Sequence, residues 1–203
     1  MRLFLIVAQY YLSSKKLNKR LSYIINFFND SGIYVSLKKI KMKDDEYRGS
    51  KSETIGPSID KYQFFDMSAY KDGLLNAGDF DVYLLINDTL FIKYPWKSYI
   101  KHLQPMLMSL SNISTPAASG IVHATPLLLK DNDNPTRQHL STFLIATNKL
   151  GKSCLMSLLN DLPDLNDPDG VDCINKQINL YPALGKLLYI HPTFRSKFPI
   201  ICN

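Results

Sequence analysis

Apolar runs and amphipathic stretches alternate along the first half of the chain. Residues 3–8 are a continuous run of apolar side chains, and residues 80–86 and 139–147 are rich in them. Such runs are typical of strands covered on both faces, because neither set of alternating side chains can point to water. We therefore predict that residues 3–8, 80–86 and 141–146 form neighbouring central strands.

Apolar residues at helical spacing separate these strands. Ser13 and Ser14 can cap a helix, and the polar turn at residues 30–32 ends it. Shorter amphipathic helices are predicted from Asp66, after Pro95 and over residues 150–159. The apolar positions of the first helix are Leu17, Leu21, Ile24, Ile25 and Phe28.

Two further segments have the pattern of strands. Residues 33–41 alternate apolar and polar side chains, and residues 119–129 are apolar with an interruption at Pro126, which suits an edge or bent strand. Residues 44–60 show little periodicity and are predicted to be a loop. The order strand, helix, strand, helix, strand, then mixed elements, predicts an α/β, Rossmann-like fold with a mainly parallel central sheet flanked by helices.

The composition is that of a globular protein. The chain has 203 residues, of which 45% are hydrophobic and 21% charged, and this excludes a disordered chain. A single domain over residues 1–203 can bury its own core. No run approaches the ~20 apolar residues of a membrane-spanning helix, and no cleavage site follows the short apolar run after Arg2. The three cysteines, Cys154, Cys173 and Cys202, cannot all form disulfides and lack zinc-site spacing, and this favours a reducing, cytoplasmic location.

Positive charge is concentrated in two clusters. The net charge is +6, and the sequence pI is about 9.1. Either cluster is a solvated face or attracts an anion, such as a phosphate-bearing ligand, a nucleic acid or the inner face of an anionic membrane. No nucleic-acid-binding motif accompanies them, so a nucleic-acid partner is not predicted. The clusters are Lys15, Lys16, Lys19 and Arg20, and Lys38, Lys39, Lys41 and Lys43.

Polar side chains follow two of the predicted strands. Gln9 and Tyr10 follow the first strand, and Asn87 and Asp88 follow the strand at residues 80–86. Ligands of open parallel sheets bind at the carboxyl ends of strands. A carboxylate there suits Mg²⁺ or Mn²⁺, which takes oxygen ligands and bridges phosphates. The alternative is that Asp88 caps a turn or a helix.

Two histidines are further candidates. His139 begins an apolar segment after a polar loop that contains Asp133, and a general base can come from this region. His191 could bind a metal or a phosphate. The alternative for each histidine is a structural role beside an apolar strand.

Three segments together resemble a known family. Residues 65–73 (FDMSAYKDG), 80–91 (FDVYLLINDTLF) and 139–148 (HLSTFLIATN) are similar to stretches of bacterial GT-A-type glycosyltransferases. The closest likeness is to the rhamnan-synthesis group of surface polysaccharide assembly. In that group a helix with an Ala-x-x-x-Gly-like pattern precedes a strand ending in Asn-Asp-Ser/Thr, and a His-x-x-Ser-Tyr-Phe segment follows. The likeness covers positions 1–160 in patches.

The resemblance implies a nucleotide-sugar donor at the carboxyl edge of the sheet. Residues 1–90 would form the nucleotide-binding half, and residues 91–203 the acceptor side. Asp88 stands where a DxD-type acid would bind a divalent metal, with His191 as a second candidate ligand. Only one carboxylate is present at that point, which departs from the two-acid pattern. The residues expected to contact the donor are Ala8, Gln9, Tyr10, Asp66 and Asn87.

Three functions are therefore considered. The first is a glycosyltransferase that moves a sugar from a nucleotide-sugar donor to a glycan or lipid-linked acceptor, with Asp88, Asp133 and His139 as candidate catalytic residues. The second is a noncatalytic nucleotide- or glycan-binding subunit on the same fold. The third is a basic nucleic-acid-binding domain. The first is the prediction, and the second is its main alternative.

Overall fold

A computed structural model describes residues 1–41, 66–93, 95–126, 136–160 and 189–190. Helices flank a central sheet in this part of the chain, as the sequence predicts. The strands are β1 (Arg2–Gln9), β2 (Tyr34–Lys41), β3 (Val82–Asn87), β4 (Ala117–Pro126), β5 (Thr136–Asn148) and β6 (Tyr189–Ile190). The helices are α1 (Ser14–Asp30), α2 (Asp66–Leu75), α3 (Leu90–Lys93), α4 (Trp96–Ser111) and α5 (Gly151–Asn160). The loop predicted for residues 44–60 lies outside the described residues.

The sheet has the strand order β2-β1-β3-β5-β4-β6. The three apolar segments β1, β3 and β5 are neighbours, which confirms the predicted centre of the sheet. All six residues of β3 are buried, as are the last five of β1. These strands and the apolar faces of the helices form one hydrophobic core.

The prediction of a mainly parallel sheet is wrong. β1 pairs in parallel with β2 and β3, and β4 with β6, but β5 is antiparallel to both β3 and β4. Helical crossovers connect β1, β2 and β3, and such crossovers produce parallel neighbours. Only nine residues separate β4 from β5, too few for a helical crossover, and these strands pair antiparallel. The sheet is therefore mixed.

Local sequence signals account for α1. The Ser13 side chain accepts a hydrogen bond from the backbone N–H of Lys16 and caps the helix. The helix buries Leu17, Leu21, Ile24 and Phe28 against the sheet. Gly32 follows with a φ of 74°, a left-handed conformation that favours glycine at the end of a helix.

Helix α2 packs very closely on the sheet. A Cβ atom on Gly73 would lie 2.6 Å from Cγ2 of Ile6 in β1, so only glycine allows this approach. Ala69, one turn earlier on the same face, is also buried. The Ala-x-x-x-Gly pattern of residues 69–73 therefore brings the helix against β1. Asp66, at the amino end of α2, is held above the carboxyl edge of the sheet.

No helix in the described part of the chain is both long and apolar enough to cross a membrane.

Candidate functional site

The polar residues singled out in the sequence meet between β1 and β3. From β1, the first crossover leads to β2 on one side, and the second returns to β3 on the other. Sheets of this kind open a crevice where the direction of connection reverses, outside the carboxyl ends of the two strands. Ala8 pairs with Asn87 at this point, and the backbone N–H of Asp88 donates to the Ala8 carbonyl oxygen at 3.0 Å. The two strands thus end side by side.

Asp88 links β3 to the loop between β1 and α1. Its Oδ2 accepts hydrogen bonds from the backbone N–H groups of Tyr11 and Leu12, at 2.7 and 2.6 Å. The side chain is fully buried. Its Oδ1 is buried as well and, among the described residues, accepts no hydrogen bond. One carboxylate oxygen therefore holds the loop, and the other remains without a donor.

Asn87 and Asp66 form a second buried polar pair. The Asn87 Nδ2 donates to Oδ2 of Asp66 at 2.6 Å, and the Asn87 Oδ1 accepts from the backbone N–H of Thr89 at 3.0 Å. Asp66 lies in the first turn of α2, where the helix dipole favours a negative charge. The amide of Asn87 is thus fixed between a carboxylate and the turn that follows β3.

The charges of Asp66 and Asp88 raise the pKa of two nearby tyrosines. Partial burial, then the charge of Asp66, then that of Asp88 raise the pKa of Tyr11 above its ordinary value, although most of the residue is exposed. The same causes, in the same order, raise the pKa of fully buried Tyr70 well above its ordinary value. A negative charge nearby opposes ionisation of a phenol. Asp66, Asp88, Tyr11 and Tyr70 thus form one electrostatic cluster at the edge of the sheet.

Tyr11 was missed as a candidate, although it follows Tyr10 directly. Tyr11 is 66% exposed, whereas Tyr10 is partly buried, and their ring centroids are 5.9 Å apart. The Tyr-Tyr pair directly after a predicted strand is the feature of the sequence that could have pointed to Tyr11. The sequence does not reveal which of the two rings faces solvent, because that depends on how Asp88 holds the loop.

Two of the other predicted donor contacts are buried. Ala8 is inaccessible within β1. Gln9 is only 2% exposed, and its Nε2 donates to the Leu12 carbonyl oxygen at 2.7 Å and to Ser14 Oγ at 3.3 Å. The Gln9 side chain therefore stabilises the loop and the start of α1.

His139 lies at the same edge of the sheet as Asp88. β5 runs antiparallel to β3, and Leu144 pairs with Ile86 near the carboxyl end of β3. The part of β5 that precedes Leu144, including His139, therefore extends past that end. The backbone of His139 pairs with that of His123 in β4. Asp133 and His191 lie outside the described residues.

The described side chains do not fit a divalent cation as they are arranged. They include no group of three or more residues able to hold a metal ion. The Asp88 Oδ2 already accepts two backbone N–H groups, and its Oδ1 is closed off from solvent. A hydrated Mg²⁺ keeps several of its waters and needs an open oxygen ligand. We therefore derive no step through a metal.

A scan against protein-family models finds no match for this chain, and a search of curated proteins finds none either.

Proposed function

We propose that the protein is a glycosyltransferase that binds a nucleotide-sugar donor in the crevice between β1 and β3. The observation that carries the proposal is the meeting of Asp66, Asn87, Asp88 and Tyr11 at the point where the sheet connections reverse. Nucleotide ligands favour this position in open α/β sheets. The resemblance of residues 65–73 and 80–91 to a glycosyltransferase group supports the same conclusion.

Each part of the crevice suits one part of such a donor. The exposed ring of Tyr11 offers a face on which a base can stack. The buried pair of Asp66 and Asn87 holds the amino end of α2 and the turn after β3 at the edge of this crevice. The diphosphate fits the first turn of α1, which contains no acid and carries exposed Lys15 and Lys16.

The transfer step needs charge stabilisation more than covalent participation. A general base, for which Asp133 and His139 are the candidates, takes the proton of an acceptor hydroxyl as its oxygen attacks the anomeric carbon. The bond from that carbon to the phosphate oxygen breaks, and the nucleoside diphosphate leaves with the electron pair. Cations and helix N–H groups placed at the leaving diphosphate lower the barrier, because they meet charge that develops in the transition state. The proposed acceptor is a glycan or lipid-linked sugar of bacterial surface polysaccharide.

One observation favours a noncatalytic binding subunit as the second candidate. The Asp88 carboxylate holds the loop after β1 through two backbone hydrogen bonds. A carboxylate in this position can have a purely structural role. The protein would then bind a nucleotide without transferring a sugar.

A nucleotide screen tests both candidates. We expect UDP, GDP or dTDP to raise the melting temperature of the protein, because a ligand that binds only the folded chain stabilises it. The screen is run with and without Mn²⁺, and an effect that needs the metal would contradict our reading of the donor set. Hydrolysis or transfer from the matching nucleotide sugar then supports the enzyme, and binding without turnover supports the subunit. No shift with any nucleotide would reject both.

A further inference from the structure

A basic and aromatic surface joins α1 to the start of α4. The rings of Tyr23 and Trp96 meet edge to face at 5.4 Å, and the Lys97 ammonium lies 5.5 Å from the centre of the Tyr23 ring and 5.8 Å from that of Trp96. Arg20 donates to the Phe91 carbonyl oxygen at 2.6 Å. These contacts connect α1 to both α3 and α4. We name this region the α1–α4 surface, formed by Lys16, Lys19, Tyr23, Ile92, Trp96 and Lys97.

The α1–α4 surface is strongly positive. Helices α1 and α4 contain six lysine and arginine residues and a single acid, Asp30. Asp30 ends α1, eleven residues after Lys19, which places it roughly 16 Å further along the axis at the helical rise. Lys16, Lys19 and Tyr23 lie three and four residues apart, so their side chains share one side of α1. The cations are Lys15, Lys16, Lys19, Arg20, Lys97 and Lys101.

Apolar side chains are exposed among these cations. Ile92 is 51% exposed, and Tyr23 is 38% exposed. Trp96 is half-buried against Phe91, with its ring at 5.4 Å. Aromatic rings with polar tips, next to lysines with long apolar stems, are the side chains enriched at the boundary between lipid headgroups and acyl chains.

We infer that the α1–α4 surface binds an anionic lipid bilayer. The lysines meet the headgroup phosphates, while Ile92, Tyr23 and Trp96 reach the boundary of the acyl chains. A nucleic acid fits this surface less well. Bases stack on open aromatic faces, whereas Tyr23 and Trp96 pack edge to face and share Lys97 as a cation partner. The inference does not depend on the proposed transferase activity.

The single tryptophan of the chain allows a direct test. Trp96 is the only tryptophan, so the emission of the whole protein reports on this surface. The full chain is mixed with vesicles of phosphatidylcholine alone, or of phosphatidylcholine with an equal amount of phosphatidylglycerol. We expect flotation and a blue shift of the emission with the anionic vesicles only, and release at high salt because the charges are screened. Binding that is insensitive to salt, or absent, overturns the inference.

Two variants locate the contact. The double change Lys16→Glu and Lys19→Glu should weaken binding by more than about tenfold, since each surface cation adds to the attraction of an anionic bilayer. Ile92→Ser should reduce the blue shift and weaken binding less. The matched control, Lys71→Glu in α2 with Lys149→Glu after β5, changes the net charge equally at residues outside α1, α3 and α4 and should retain most of the binding.

Two outcomes would contradict the assignment of this surface. If the control variant loses as much binding as the α1 variant, net charge alone is responsible. If a single-stranded oligonucleotide shifts the Trp96 emission and anionic vesicles do not, the partner is nucleic acid. Circular dichroism of each variant shows whether it remains folded. If the α1 variant is misfolded, its loss of binding is disregarded. Lys97→Glu, a change on the same surface, then provides the test.

Discussion

The Asp88 carboxylate holds the loop after β1, and substitutions can measure how much this contact contributes to stability. Asparagine keeps an oxygen that can accept from the N–H groups of Tyr11 and Leu12, whereas alanine leaves the buried Leu12 N–H without its acceptor. We expect Asp88→Ala to lower the free energy of unfolding by about 2–4 kcal/mol, and Asp88→Asn by about 1 kcal/mol. Urea denaturation of both variants measures the difference.

The same pair of variants tests the charge of Asp88 in function. We expect Asp88→Asn to reduce sugar transfer while the protein stays folded, because a neutral amide oxygen holds the loop of Tyr11 and Leu12 less firmly than the charged carboxylate does. Transfer assays and melting temperatures are measured on one preparation. Unchanged transfer would remove the charge of Asp88 from the chemistry. If Asp88→Asn and Asp88→Ala lowered the free energy of unfolding equally, the contact with the loop after β1 would require the carboxylate itself.

Tyr70 gives the protein a defined response to alkaline pH. Its raised pKa means that the unfolded chain ionises this phenol first, above about pH 10. The stability that the protein gains by keeping the Tyr70 phenol neutral is therefore fully present below that pH. It is lost as the pH rises toward the pKa of Tyr70 in the folded state. We expect the melting temperature to fall steeply above about pH 10, and Tyr70→Phe to flatten the fall. Tyr34→Phe, at a tyrosine that is 71% exposed, serves as the control.

At the scale of elements, the contact between α2 and β1 leaves no room for a methyl group at Gly73. A Cβ there would lie 2.6 and 2.8 Å from Cγ2 and Cδ1 of Ile6. We expect Gly73→Ala to destabilise the protein by about 1–3 kcal/mol, although alanine favours helix by about 1 kcal/mol over glycine. Chemical denaturation measures the change.

Gly78 provides the matched control for this substitution. Among the described residues, a Cβ at Gly78 would meet only the Phe80 ring, at 3.9 Å, which is an ordinary contact. Gly78→Ala should therefore be neutral within about 0.5 kcal/mol. If Gly73→Ala were equally neutral, α2 would have to be less closely packed on β1 than described.

Element types were largely predictable, whereas strand direction and atomic contacts were not. Apolar runs identified β1, β3 and β5, and the serine cap with its helical spacing identified α1. A run of apolar residues carries no information on direction, so the antiparallel orientation of β5 was missed. The position of Asp88 at a strand end was also predictable. Its bonds to the Tyr11 and Leu12 amides were not, because they join residues 77 and 76 positions apart.

At the scale of the molecule, the antiparallel pairing of β3 with β5 joins the two halves predicted from the sequence. Val82 to Ile86 pair in register with Asn148 to Leu144, and all of these residues are buried. Because residues on both sides of position 90 share one core, we expect a single cooperative unfolding transition. Trp96 fluorescence and far-ultraviolet circular dichroism should give coincident curves in urea. Separate midpoints would show that residues 1–90 and 91–203 unfold independently.

The place of β2 at the end of the strand order has a consequence for the concentrated protein. Within the described chain β2 pairs only with β1, so its other edge can serve as a template for a strand from another copy. Lys38, Lys39 and Lys41 lie along that strand, and two such edges brought together would place cations against cations. We expect this repulsion to keep copies apart at low ionic strength. Added salt screens it, and self-association should then rise with salt while lipid binding falls.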